Sequence, residues 1–206
     1  INISKRNNKA FAVLAFSLQR LSVYLASKKA DLILVDNQKT FRFFCKMGVQ
    51  QSRLLILGGG VNFLKLAKYR KVRRKIYDAV FAGRLDQTKG AFDLPLIWAK
   101  VVKNQPSARL VIVGTATGQN LKKIKRAIVE NKVEKNVELL GFLPHQGSKT
   151  IFDIFAQSKV FLSLTLEGGR DFVLIEALAC GLPVVAYDQD FLREEIVKSG
   201  VLKTPS

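Results

Sequence analysis

Residues 158–188 read SKVFLSLTLEGGRDFVLIEALACGLPVVAYD. Val160 to Leu164 is apolar but for Ser163, the mark of a strand buried on both faces. A loop with two glycines follows, and then an apolar helix from Phe172 to Cys180. Gly181 ends that helix and Pro183 leads into a second apolar strand, Val184 to Tyr187. Strand, loop, helix, turn and strand make one parallel crossover unit.

Working outward, the same alternation recurs. Strands are expected at 79–82, 110–113 and 137–140, with helices at 92–103, 120–131 and 149–157. A last helix is expected at 190–198. Such alternation argues an α/β fold, a Rossmann-like parallel sheet with helices on both faces. In such sheets, ligands bind where strand carboxyl ends meet the following helices.

Upstream of residue 78 the text is less regular. An amphipathic helix is expected over 8–29, a strand at 32–35, a helix at 39–47 and a strand at 54–57. Residues 65–75 then hold seven basic and no acidic residues and read as an exposed linker or solvated helix. The domain reading is therefore 1–62, a basic interdomain linker 63–77, and 78–206.

The chain has 206 residues and a net charge of +18. Residues 1–77 carry 17 basic against two acidic residues, and the remainder 17 against 14. The first third thus holds most of the excess. That field favours an anionic partner: nucleic acid, an anionic membrane surface or a phosphorylated substrate. Hydrophobic residues make up 48%, too many for a disordered tail. Cys45 and Cys180 form no disulfide framework, so reduced thiols in the cytoplasm are expected. The densest apolar run, 10–18, is too short to span a bilayer.

Two strand-to-helix junctions carry polar chemistry. The first is Gly83-Arg84-Leu85-Asp86-Gln87-Thr88-Lys89-Gly90. Gly83 allows a turn, Arg84 offers a fork of donors and Lys89 a point charge. Gly90 is expected to open a helix whose N-terminus favours anions. Together they suit a diphosphate; the competing reading is a solvated loop. The second is Glu167-Gly168-Gly169-Arg170-Asp171-Phe172 with Glu176 in the helix. Exposed amides at 168 and 169 suit phosphate or sugar oxygens, and a carboxylate accepts hydrogen bonds from sugar hydroxyls. The competing reading makes Asp171 a helix cap and leaves the glutamates solvated or paired with lysines. For Glu176 that alternative is weak, because Leu174, Ile175, Ala177 and Leu178 predict burial and a buried carboxylate needs a partner.

These stretches, with FAGRLDQTKGAFDLPLIWAKV, ARLVIVG and NVELLGFLP, resemble the family-4 retaining glycosyltransferases of the two-domain GT-B fold. The resemblance covers nearly all of 78–200, with its stretches in family order. More loosely, ADLILVDNQKTFRFFCKMGV and RLLILGGGVNFLKL are similar to the end of the family's acceptor-side domain and its crossover. The resemblance implies a nucleotide-sugar domain at 78–206, truncated at its C-terminal end, and the end of an acceptor-side domain at 1–62. The chain then reads as a fragment that would be inactive alone. Transfer of a hexosyl group from a UDP- or GDP-sugar to a glycan or lipid-linked acceptor, with retention, is implied.

In site terms, Arg84 and Lys89 would grip the diphosphate, with Gly83 at the turn. Glu176 would bind the ribose. Glu167 and the amides of Gly168 and Gly169 would hold the donor sugar and its phosphate, and backbone at Phe142 and Leu143 would meet the base. One departure stands out. The family separates its two glutamates by seven residues and this chain by eight, so the family position falls on Gly168. Either the loop bulges by one residue or Glu167 lacks that role.

No cofactor and no metal are expected, since no clustered His, Cys or Asp set occurs; Asp188-Gln189-Asp190 reads as a turn and cap. His145, the single histidine, reads as a solvated loop residue. The competing class is a basic module that binds nucleic acid or a membrane surface without catalysis. No nucleic-acid motif surrounds the 65–75 run, so no nucleic-acid partner is expected. Peripheral association with the inner membrane face would use the basic first third.

Overall fold

The computed structural model describes residues 17–18, 20–35, 37–57, 60–72, 74–166 and 171–187. The chain divides into two compact units, Ile1–Gly59 and Gly60–Ser206. In the first, helix α1 (residues 20–29) precedes strand β1 (Ile33–Val35), helix α2 (Gln38–Lys46) and strand β2 (Leu54–Ile56). Asn37 caps α2 by accepting the Thr40 amide at 2.8 Å. Gly48 ends the turn after α2 at φ 80°, a left-handed conformation glycine adopts without strain. β1 and β2 pair in parallel, with Ile33 opposite Leu54. Val35, Val49 and Leu54 form a small core with Phe41, Phe44 and Cys45.

The second unit begins with helix α3 (Phe63–Ala67) and a 3-10 turn, Lys68–Lys71. Strands β3 (Tyr77–Ala82), β4 (Leu110–Val113), β5 (Val137–Gly141), β6 (Ser158–Ser163) and β7 (Val184–Ala186) alternate with helices α4 (Leu94–Asn104), α5 (Gly118–Glu130), α6 (Ile151–Ala156) and α7 (Phe172–Ala179). The sheet order is β5-β4-β3-β6-β7 and every pairing is parallel. This is the expected Rossmann-like α/β architecture.

Side chains alternate across the sheet as strand geometry requires. Val80, Ala82, Val111, Val113 and Phe161 join one apolar cluster with Phe155, Leu174 and Ala177. Ala79, Phe81, Leu110, Ile112 and Leu162 join the other with Leu94, Trp98 and Ile124. Burial on both faces explains why these strands read as mainly apolar runs. Fully burying a Phe or Leu here stabilises the fold by roughly 1.5–3 kcal/mol.

The basic stretch corrects one expectation. Residues 63–77, read as an interdomain linker, belong to the second unit. Leu66 is buried, and Tyr69 and Ile76 pack against the same cluster as Phe152 and Leu174. Arg70 donates to the carbonyls of Ala179 and Leu178, and Lys75 to that of Ala156. A few apolar residues placed among the cations, with these bonds from Arg70 and Lys75, dock the stretch.

The strand order places a switch point at β3, with β4 on one side and β6 on the other. The loops after β3 and β6 therefore leave the sheet in opposite directions and open a crevice at its carboxyl end.

Candidate functional site

The loop after β3 is self-braced. Asp86 accepts from the Thr88 hydroxyl at 2.7 Å and the Lys89 amide at 3.1 Å. Its second oxygen lies 3.3 Å from Arg84 Nε. Burial alone would raise the Asp86 carboxyl, but the bonds from Thr88 and Lys89 and the charge of Arg84 hold it below the usual range. The guanidinium of Arg84 is nevertheless 68% exposed, so it is oriented but open to solvent.

Two glycines bring the backbone close. A Cβ at Gly90, at φ 65°, would lie 2.1 Å from the Leu164 carbonyl oxygen after β6. A Cβ at Gly114 would lie 1.7 Å from the Gly83 oxygen. The Leu166 amide donates to Thr88 O at 2.8 Å, stitching the two loops together. Gly83 itself donates to the Val113 carbonyl at 3.0 Å. Gly114 was not singled out in the sequence, although it ends an apolar strand as Gly83 does.

Lys89 reaches across the crevice. Its Nζ lies 3.5 Å from both Asp171 Oδ1 and Thr165 Oγ1. Asp171 is 7% exposed at its side chain and accepts from the hydroxyls of Thr165, at 3.0 Å, and Ser163, at 3.4 Å. The capping alternative for Asp171 does not hold, since its side chain makes no cap hydrogen bond to α7. It is drawn inward by Lys89 and the two hydroxyls.

The helix expected to open at Gly90 also needs correction. Ala91–Asp93 is a 3-10 turn, and α4 starts at Leu94 with Pro95 in its first turn. The amides of Gly90, Ala91 and Asp93 donate to Gln87, Asp86 and Gly90 carbonyls. They are therefore committed within the chain, so the cations carry the anion-binding character of this loop.

Glu176 sits on α7 against a cavity of about 300 Å³, lined also by Gly60, Asn62, Lys65, His145 and Phe172. Its side chain is 14% exposed, with Oε1 3.2 Å from His145 Nε2. Oε2 is buried without a hydrogen-bond partner among the described residues. Burial pushes the carboxyl up, the His145 contact pulls it down, and the Asp171 charge adds to the rise; the balance is upward. His145 is the loop residue exposed to solvent that was expected, 55% exposed at its side chain, and its Nε2 is also the partner of the buried carboxylate. No local pattern revealed it, because the two lie on different elements 31 residues apart.

Phe142 and Leu143 follow β5, where Gly141 turns at φ 68°. Phe142 is 66% exposed, while Leu143 packs against the apolar cluster. Glu167, Gly168 and Gly169 lie outside the described residues, as do Asp188 and Asp190. Burial, and then the charge of Glu176, push the Cys180 thiol up to about 12, so it packs as an apolar group. Among the described residues, no three His, Cys, Asp or Glu side chains gather as a metal ion requires, and no helix is long and apolar enough to cross a membrane.

Asp171 joins the two halves of this arrangement. It pairs with Lys89, and its charge is felt at Glu176. Two cations at a switch-point crevice, beside a buried carboxylate in a cavity, can take up a phosphorylated ligand that also carries hydroxyls.

Residues 51–204 match the family model described as glycosyl transferases group 1. The poly(glycerol-phosphate) alpha-glucosyltransferase of Bacillus subtilis is 32% identical over 124 residues, 60% of this chain and 17% of that protein. An uncharacterized glycosyltransferase of Methanocaldococcus jannaschii is 30% identical over 121 residues, 59% of this chain and 28% of its own. The chain thus spans less than a third of the length of either. The crystal structure of Anabaena Alr3699/HepE in complex with UDP and glucose aligns with a TM-score of 0.66 at 23% identity, covering 85% of this chain and 49% of that one. The pneumococcal O-GlcNAc transferase GtfA, in complex with UDP and GlcNAc, aligns with a TM-score of 0.69 at 18% identity, over 89% and 36%. At these identities the two structures bear on the fold.

Proposed function

Because the chain belongs to the glycosyl transferases group 1 family, we propose that it forms the donor side of an enzyme that moves a hexosyl group from a UDP- or GDP-sugar to a glycan or lipid-linked acceptor, with retention at the anomeric carbon. The observation that carries this reading is the crevice at β3 and β6, where the loop after β3 sets Arg84 beside Asp86 and Lys89 beside Asp171 at the sheet's carboxyl end. The difficult step is departure of the nucleoside diphosphate. The bond from the anomeric carbon breaks, and its electron pair stays on the diphosphate oxygen. Arg84 and Lys89 stabilise that developing charge. A hydrogen bond to a charged group contributes about 1.5–3 kcal/mol, or about one to two decades in rate when expressed only in the transition state.

The other assignments follow the same pattern. Glu176 takes the ribose, backbone at Phe142 and Leu143 meets the base, and Glu167, Gly168 and Gly169 hold the sugar and its phosphate. No step calls on a metal, because the protein's own cations meet the diphosphate. The test is a screen of UDP, GDP and their sugars by thermal shift and calorimetry. A nucleotide-specific shift lost in Arg84→Ala and Lys89→Ala supports the reading. Binding only to oligonucleotides, with steep salt dependence, refutes it.

A second reading concerns location. The 17 basic against two acidic residues of 1–77 support a cytoplasmic protein held at the inner membrane face, each near-surface cation adding about 1 kcal/mol. Co-sedimentation with vesicles checks it. Equal partitioning to neutral and anionic vesicles would rule out electrostatic attachment.

A further inference from the structure

We propose that His145 is a positioning residue for Glu176, and that the pair makes nucleotide binding selective for ribose over a sugar lacking its hydroxyls. The inference rests on the nucleotide-sugar reading above.

The His145 side chain is 55% exposed and is held on its inner side. It packs edge-on against Phe152 of α6, with ring centroids 5.3 Å apart at 67°. The start of α6 is itself pinned. Thr150 and Asp153 form a reciprocal capping box, and the Ile151 amide donates to the Pro144 carbonyl at 3.1 Å. His145 follows Pro144 directly, so its backbone is set by the same bond. An imidazole held this way presents Nε2 at a defined point, 3.2 Å from Glu176 Oε1.

Glu176 has a flexible side chain and stands on the wall of the cavity. When Nε2 carries the proton, it donates to Oε1 and fixes the carboxylate plane. Oε2 is left buried and without a partner among the described residues. An unsatisfied buried carboxylate oxygen is costly, and a ligand hydroxyl that donates to it removes that cost. Without the imidazole, the carboxylate has no fixed plane and the hydroxyl no fixed acceptor. His145 need not touch the ligand to have this effect.

The merely structural reading is that His145 satisfies a buried acid and does nothing else. The two readings part on how binding depends on the ribose hydroxyls. Calorimetry would compare UDP and GDP with their 2′,3′-dideoxy forms on the 206-residue chain. The wild type should prefer the ribonucleotide by about tenfold or more, the size of one lost charged hydrogen bond. His145→Ala should weaken the ribonucleotide about tenfold and leave the dideoxy form nearly unchanged. His145→Gln, which keeps a donor, should restore most of the preference. In a Glu176→Gln background, His145→Ala should change nothing further. Should the alanine variant not fold, His145→Phe keeps the ring against Phe152, lacks the donor and gives the same readout.

Equal weakening of both nucleotides by His145→Ala, or an unchanged preference, would overturn the positioning role. So would an undiminished effect of the His145 change in the Glu176→Gln background. Failure of the wild type to bind either diphosphate would instead overturn the nucleotide reading, and this inference with it.

Discussion

Replacing Lys89 by methionine tests the crevice most directly. The change keeps most of the aliphatic stem and removes the ammonium. Asp171 then remains 7% exposed at its side chain, with the Ser163 and Thr165 hydroxyls as its donors among the described residues. At the 3.5 Å separation, Coulomb's law gives about 5 kcal/mol for an effective dielectric constant of about 20. Desolvating both ions offsets part of that, and Lys89 is still a quarter exposed. Breaking a buried pair from one side costs about 3–5 kcal/mol. With two hydroxyls remaining, the expected loss falls near the low end, about 2–3 kcal/mol.

For the unit Gly60–Ser206 this corresponds to a fall in Tm of about 5–10 °C. Trp98 provides the probe. It is the chain's single tryptophan, 3% exposed on α4, so its fluorescence follows unfolding of the second unit alone. In urea, Lys89→Met should lower the midpoint without changing the slope. Asp171→Asn should lose less, about 1 kcal/mol, because the freed lysine can reach solvent. The double variant should resemble Asp171→Asn, a coupling of about 2–3 kcal/mol. Additive losses, or a Lys89→Met loss below about 0.5 kcal/mol, would refute the buried pair.

Gly90→Ala should lose about 3 kcal/mol or more, since a left-handed alanine costs about 1–2 kcal/mol and its Cβ would meet the Leu164 carbonyl at 2.1 Å; the urea midpoint reads this. Arg84→Ala should leave stability within about 0.5 kcal/mol yet weaken nucleoside diphosphate binding about tenfold, because the guanidinium is 68% exposed; calorimetry separates the two effects. Burial raises the Asp78 and Asp86 carboxyls, but hydrogen bonds and nearby cations more than reverse it, so both lie below the ordinary 3.8. Their stabilisation is present above that value and is lost as pH falls through their lowered pKa values. Lys159→Met, which removes the 2.7 Å contact to Asp78, should flatten the acid limb of Tm against pH. Glu176 shifts the other way, so the apo fold should lose stability as pH rises from the ordinary glutamate range through the raised pKa.

The parallel sheet was legible because β3, β4 and β6 are buried on both faces and leave short, mainly apolar runs. Burial of Glu176 was legible from Leu174, Ala177 and their neighbours along one helix. The partner, His145, was not, because a contact between elements leaves no periodic trace. Asp171 misled for a related reason. An acid before a helix reads as a cap, and only the fold brings Lys89 and two hydroxyls to its other side. The stretch at 63–77 misled because charge outnumbers the few apolar residues that dock it. Buried Leu66 and Tyr77, with partly buried Tyr69 and Ile76, suffice.

On the proposed donor-side reading, the crevice has a consequence for turnover. Each of its cations already owns a carboxylate: Arg84 has Asp86 and Lys89 has Asp171. An arriving diphosphate therefore exchanges one anionic partner for another instead of meeting bare positive charge. When it leaves, the carboxylates are in place to reclaim their cations. Affinity becomes a difference between two pairings, which keeps the spent nucleotide from being held so tightly that its release stalls the cycle. Long-range attraction of the ligand falls to charges elsewhere, and the excess of basic residues in 1–77 supplies them.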